Sequence, residues 1–163
     1  MYNSGLHPKN DGFYFIRQIE KVDIDKGGFL ETLKNLSTNP VMEKKRAYEI
    51  LDEIDSNPLH RILVAVVRSN LNINEIIVGA TTLLVEPKFI YSGGRVGHIE
   101  DVVVRRSYEK KGIGKKLVSH ATKLAHKMDC VKVILDCSDE NMRFYQKLGY
   151  TYQDNCMSIK FHS

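Results

Sequence analysis

Val102–Leu117 reads VVVRRSYEKKGIGKKL, and it joins three kinds of local structure in sixteen residues. The valine run is strand-forming, because β-branched side chains suit a pleated surface. Gly112 and Gly114 punctuate a turn. From Gly112 to Met128, Ile113, Leu117, Ala121, Leu124 and Ala125 recur at helical spacing and predict one apolar face. The first amides of a helix have no internal partner, and the helix dipole adds positive potential there. Glycines let a ligand approach the backbone closely. The stretch therefore offers an anion site that needs no charged side chain. A Walker loop is excluded, because Glu109 stands where its first glycine belongs. A dinucleotide fingerprint is excluded by Leu117 at its third glycine. A plain helix start that happens to carry two glycines remains open on this stretch alone.

Outward from the turn, Phe13–Ile19 reads as a first strand. A helix from Asp23 or Asp25 to Asn35 carries Phe29, Leu30, Leu33 and Leu36 as its stripe. Ser37–Pro40 breaks it, and Met42–Ile54 is a second helix with Ala47, Ile50, Leu51 and Ile54 inward. Arg61–Arg68 is a buried strand, Asn70–Asn74 a link, and Ile76–Val85 a strand pairing back. Pro87–Gly94 is a loop before the strand His98–Val104. Val131–Leu135 is a short strand, and Ser138–Leu148 a helix ended by Gly149, a favoured residue after a helix. Tyr150–Phe161 is expected to return as a strand. The order βααβββαβαβ predicts an α+β fold, with a central mixed, mostly antiparallel sheet flanked by helices. Residues 1–11, broken by Gly5, Pro8 and Asn10, read as a flexible tail, and 12–163 as a single domain.

Bulk properties narrow the class. With 163 residues, 42% hydrophobic and 27% charged, the chain can bury a core and is not disordered in character. The net charge of +4 lacks the concentrated basic stripe of a nucleic-acid binder, and a slight basic excess suits a phosphate-bearing small ligand equally with a solvated surface. No apolar run reaches the roughly 18 residues of a membrane span. Met1–Asp11 lacks the apolar stretch of a signal peptide, so the chain is read as cytoplasmic. Cys130, Cys137 and Cys156 are odd in number and widely spaced, which argues against a disulfide framework and a zinc knuckle. Cys137 follows an apolar run and is expected to be packed inside.

The segment Glu109-Lys110-Lys111-Gly112-Ile113-Gly114 resembles the [Q/R]-x-x-G-x-[G/A] motif of the GCN5-related N-acetyltransferase (GNAT) superfamily, with Glu109 in place of the usual Gln or Arg. Within that superfamily, GHIEDVVV at Gly97–Val104 and VILDCSDENMRFYQKLGY at Val133–Tyr150 are similar to the glucosamine-6-phosphate N-acetyltransferase branch. The similarity runs from Phe13 to Phe161.

The resemblance implies a GNAT fold, acetyl-CoA as co-substrate, no metal, an amino-sugar phosphate as acceptor, and a step towards UDP-N-acetylglucosamine. It also implies a homodimer with sugar sites completed across the interface, and no nucleic-acid or membrane partner. Residue by residue, it implies that Val102, Val103 and Val104 hydrogen-bond the pantetheine arm like an added strand. Glu109, Lys110, Lys111, Gly112, Ile113 and Gly114 would take the pyrophosphate. Asn141 and Tyr145, four residues apart on one helix face, would reach the cofactor arm and its sulfur. Glu100, Asp101 and Asp136 would surround the sugar, with Lys88 and Tyr91 helping to bind its phosphate and Lys132 adding a charge from the partner subunit. Ser37 and Lys160 align with two further sugar positions, where Thr and Arg are usual. Lysine there loses the bidentate fork of arginine.

The chemistry so implied is direct acyl transfer. Tyr145, a neutral acid at pH 7, would protonate the leaving thiolate. Glu100, Asp101 or Asp136 would orient the amine or accept its proton. Amides near Val102 would serve the oxyanion. A regular strand alternates faces, so Glu100 and Asp101 are expected to share a pocket wall only if the strand bulges. Lone His98 reads as structural. Two other functions fit the turn: a GNAT enzyme acting on another small amine or a protein N-terminus, and a non-catalytic acyl-CoA-binding module.

Overall fold

In the computed structural model, the described residues are 14–25, 28–37, 42–68, 75–159 and 161. Five strands form one sheet in the order β1 (Tyr14–Gln18), β2 (His60–Arg68), β3 (Glu75–Pro87), β4 (Arg95–Val104) and β5 (Cys130–Ile134). The first four pair antiparallel in succession, and β4 and β5 run parallel. The helices are α1 (Lys21–Asp25), α2 (Phe29–Leu33), α3 (Lys44–Asp55), α4 (Ile113–Lys127) and α5 (Asp139–Gln146).

The strands alternate their side chains between two cores. On one face, α4 and α5 pack Ile113, Leu117, Ala121, Ala125 and Tyr145 against Leu63, Ala65, Leu83 and Ile99. On the other, α1 to α3 bring Ile24, Phe29, Ala47 and Leu51 onto Ile62, Val64, Val66, Ile77 and Val103. Interior strand β2 is buried on both faces, as its unbroken apolar run requires. One buried charge ties the helical side to the sheet. Asp23 on α1 accepts from both terminal nitrogens of Arg17 on β1, at 2.6 and 2.8 Å, and from the Glu20 amide at 2.8 Å.

Three expectations need correction. The helix expected from Asp23 or Asp25 to Asn35 is two short helices, α1 and α2. Gly28, at φ 72°, starts the second in a left-handed conformation. A side chain there would collide with Arg105, whose guanidinium donates to the Gly28 carbonyl at 2.8 Å and to Thr32 Oγ1 at 2.9 Å, fastening α2 to the end of β4. The strand expected over Tyr150–Phe161 does not form: residues 151–159 carry no regular structure, and Met157 and Phe161 are exposed. Among the described residues the segment has no ladder partner, and a strand exists only as part of a ladder. Cys137 is exposed rather than packed, because β5 ends at Ile134 and the chain has left the sheet. The expected tail, the Asn70–Asn74 link and Lys160 lie outside the described residues.

Candidate active site

The middle of β4 is irregular. Ala80 pairs with Val103 while Thr82 pairs with Glu100, so two steps on β3 face three on β4. This is a β-bulge. Asp101 sits at its centre with φ 53°, an uncommon conformation for a residue with a side chain. Thr81, fully buried, donates its hydroxyl to the Glu100 carbonyl at 3.1 Å, satisfying a group displaced from the ladder. The bulge shifts the phase of the strand. Ile99 packs on the α4–α5 side, and beyond the bulge Val102 and Val104 do so, while Val103 faces α1–α3. Glu100, across from Thr82, and Asp101 therefore both face the α1–α3 side, where a cavity of about 390 Å³ is lined by Asp101, Thr82, Ser37 and a largely apolar floor. Burial pushes the Glu100 carboxyl up from its ordinary range. The neighbouring charges of Asp136 and then Asp101 add to this, and His98 opposes it.

The parallel pairing of β4 with β5 covers only Arg95–His98. β5 stops at Ile134 while β4 runs on to Val104, so beyond His98 the two strands part. Among the described residues, the β5-side edge of β4 from Ile99 to Val104 has no strand neighbour. That edge, at Val102, Val103 and Val104, can take an extended chain as an added strand.

At the end of this edge the chain makes a 3₁₀ turn over Arg106–Tyr108 and enters α4 through Glu109–Gly112. Gly112, at φ 79°, precedes the helix, and among the described residues no side chain caps its first amides. A fifteen-residue helix thus opens with free N–H groups and the positive end of its dipole. A Cβ placed on Gly114 would lie 3.5 Å from Phe144 of α5 and 3.6 Å from Val104 of β4, so strand edge, helix start and α5 border one groove. This geometry fits an extended chain that ends in a diphosphate. Glu109 is exposed and forms no ion pair among the described residues. Lys111 places its ammonium 4.9 Å from the centre of the Tyr108 ring rather than on Glu109. Lys110 takes a left-handed φ of 60° to make the turn.

Across the groove, Tyr145 is about nine-tenths buried, held edge-on between Phe144 and Tyr150 at centroid distances of 4.9 and 6.0 Å. Tyr150 is itself fixed by a 2.7 Å hydrogen bond to Thr122 on α4. Burial, with smaller contributions from Cys137 and Tyr150, pushes the Tyr145 phenol up, so it stays protonated and can donate. Asn141, one turn earlier on α5, is exposed, and its amide donates to Ser138 Oγ at 3.2 Å. Asp136 lies just past β5 and accepts from the Cys156 thiol at 3.3 Å.

The β3–β4 connection gathers the basic candidates. Lys88 pairs with Glu86 at 2.6 Å, and Lys132 of the same chain holds its ammonium 5.5 Å from the centre of the Tyr91 ring. His98 also meets Glu86, at 3.0 Å. Glu86 and His98 were not singled out from sequence as site residues. A Glu-x-Lys at a strand end, with a histidine on the partner strand, was the signal available. The fold brings Asp136 and Asp101 close enough for their charges to act on Glu100, and sets Ser37 on the wall of the cavity that Asp101 also lines.

With this geometry in view, residues 30–150 match the Acetyltransferase (GNAT) family. The chain is 40% identical over 139 residues to the glucosamine 6-phosphate N-acetyltransferase of Candida albicans, covering 84% of this chain and 89% of that one. It is 34% identical to glucosamine 6-phosphate N-acetyltransferase 1 of Dictyostelium discoideum, covering 92% of each. The crystal structure of glucosamine-6-phosphate N-acetyltransferase from Arabidopsis thaliana superimposes with a TM-score of 0.84 at 34% identity, over 92% of this chain and 99% of that chain. The bulged strand, its open edge and the uncapped glycine turn thus sit on a fold, and in a sequence, that belong to the GNAT acetyltransferase family.

Proposed function

We propose that this protein transfers the acetyl group of acetyl-CoA to the amine of D-glucosamine 6-phosphate, giving N-acetylglucosamine 6-phosphate, a step towards UDP-N-acetylglucosamine. The observation that carries the reading is the bulge at Glu100–Asp101. It turns two carboxylates to one face beside an open strand edge, so an acceptor amine and a thioester can meet there. The relatives' names supply the acceptor.

In this reading the thioester supplies an activated acyl group. The β4 edge at Val102–Val104 holds the pantetheine amides, and the α4 start at Glu109–Gly114 holds the pyrophosphate. The amide near Val102 donates to the carbonyl oxygen as negative charge develops on it. Asp101, Glu100 and Asp136 hold the amine lone pair towards the carbonyl carbon, and one of them takes the proton that the nitrogen loses. Glu100 suits that task, because burial and its neighbours raise its proton affinity. Tyr145 donates its phenolic proton to the departing sulfur, and Asn141 steadies the arm one helical turn away. Lys88 and Tyr91, with Lys132 from a second copy, bind the sugar phosphate, and Ser37 and Lys160 are assigned to two further sugar positions. Fixing both substrates along one groove contributes much of the rate.

We also propose a homodimer. Tyr152, Met157, Ile159 and Phe161 leave large apolar surfaces exposed in a segment with strand-like sequence, which a second copy would cover. The cytosol is the compartment that suits three free thiols, Cys130, Cys137 and Cys156. No helix among the described residues is long and apolar enough to cross a membrane.

The test is to mix the protein, acetyl-CoA and glucosamine 6-phosphate and follow free thiol together with loss of the sugar's primary amine. Equal amounts of each support the reading. Thiol without amine loss would mean hydrolysis, and neither would favour a non-catalytic acyl-CoA-binding module.

A further inference from the structure

We infer that Glu86 is a positioning residue that aims Lys88 at the acceptor's phosphate, and that His98 holds Glu86 in place. The inference rests on the reading of Lys88 as a phosphate contact.

Glu86 lies near the end of β3, and Lys88 is the first residue beyond that strand. His98 pairs with Leu84, so His98 and Glu86 are diagonal neighbours on one face of the β3–β4 ladder. Both bases converge on a single atom: Glu86 Oε2 is 2.6 Å from Lys88 Nζ and 3.0 Å from His98 Nε2. His98 donates to that oxygen either as the Nε2–H tautomer or as the imidazolium. The pairing keeps Glu86 ionised, since Lys88 and then His98 hold its carboxyl below the ordinary range.

Lys88 is fixed at both ends. Its backbone amide donates to the Gly94 carbonyl at 2.8 Å across the loop, and its side chain is only 28% exposed. A lysine ammonium has three donors. One is spent on Glu86, and among the described residues the other two have no partner and can turn to a phosphate. A surface lysine normally loses much rotamer freedom when it grips a ligand, and here the pair with Glu86 restricts that freedom before binding. His98 is two residues before Glu100 on the same strand, so Glu86 and His98 tie the phosphate-facing lysine to the strand that carries the amine-facing carboxylates. The arrangement sets the span between the two ends of the acceptor.

The experiment compares kcat and KM for glucosamine 6-phosphate and for unphosphorylated glucosamine in the full-length protein and its variants. Glu86→Ala is expected to raise KM for the phosphorylated sugar by about fivefold to tenfold, with kcat within about twofold. The preference for the phosphorylated acceptor, as a ratio of kcat/KM values, falls by the same factor. His98→Ala repeats the effect at about threefold, and His98→Gln, which keeps an N–H donor at similar reach, restores it. Where Glu86→Ala does not fold, Glu86→Gln gives the same reading. Equal KM changes for both acceptors would overturn the inference as a merely structural effect. A lowered KM for the phosphorylated sugar would overturn it too, by showing that Glu86 only competes with the phosphate. A preference kept in Glu86→Ala but lost in Lys88→Met would overturn the role of Glu86 alone. A wild-type protein with no preference for the phosphate would overturn the reading of Lys88 beneath it.

Discussion

Glu100 and Asp101 are consecutive on β4 and yet face the same side of the sheet, because Asp101 adopts a left-handed φ of 53° inside a bulge. The carboxylates are thereby neighbours in space as well as in sequence, and Asp136 joins them electrostatically. Burial and these charges raise the proton affinity of Glu100. If ionised Glu100 accepts the amine proton, activity is lost as pH falls through its raised pKa. Asp136→Asn removes a negative neighbour and lowers that pKa. The acid limb of the kcat/KM profile should therefore move to lower pH, whatever happens to its height. Asp101→Asn should move it the same way by less. A limb that stays put in both variants would assign the titration to another group.

Tyr145 has no hydrogen bond to its hydroxyl among the described residues, and burial keeps it protonated. Tyr145→Phe retains the packing against Phe144 and Tyr150 and removes only the donor. Turnover should fall by about a hundredfold, the usual scale for one acid or base, while acetyl-CoA affinity from equilibrium titration changes little. Equal losses in both would argue against proton donation.

Glu109 is exposed and unpaired among the described residues, so it adds negative charge near a site proposed for a pyrophosphate. Glu109→Gln should leave turnover intact and tighten acetyl-CoA by no more than about threefold, the scale of one screened charge. A collapse of binding would mean that the carboxylate holds the turn together.

Stability makes a separate demand. Asp23 is buried, and its charge is met by Arg17, which also reaches Glu75 at 3.0 Å. Arg17→Met should cost about 3–5 kcal/mol in chemical denaturation, because it strands a buried carboxylate. Arg17→Met combined with Asp23→Leu should recover much of that loss. A single variant as stable as wild type would show that Asp23 finds another partner.

The strand–turn–helix at Val102–Leu117 was legible because each signal is local: a β-branched run, two glycines, then a 3.6-residue stripe. Tyr145 and Asp136 become site candidates only through their resemblance to a family pattern, since a tyrosine beside a phenylalanine reads as core. The bulge itself was not legible. It places an aspartate, not a glycine, at positive φ, and depends on Thr81 of the neighbouring strand to satisfy the displaced Glu100 carbonyl. The link from Glu86 to His98 escaped for a related reason, because it joins two strands through side chains twelve residues apart. Tyr150–Phe161 has the alternation of a strand, and alternation does not say which chain supplies the ladder.

A comparison of amines decides the identity of the acceptor. Initial rates of thiol release from acetyl-CoA are measured with glucosamine 6-phosphate, glucosamine, a polyamine, an aminoglycoside and a peptide with a free N-terminus, each over a range of concentration. Glucosamine 6-phosphate is expected to give the highest kcat/KM by at least about a hundredfold, the scale expected when buried polar groups and a phosphate contact are matched rather than left unpaired. A higher kcat/KM for any of the other amines would contradict it.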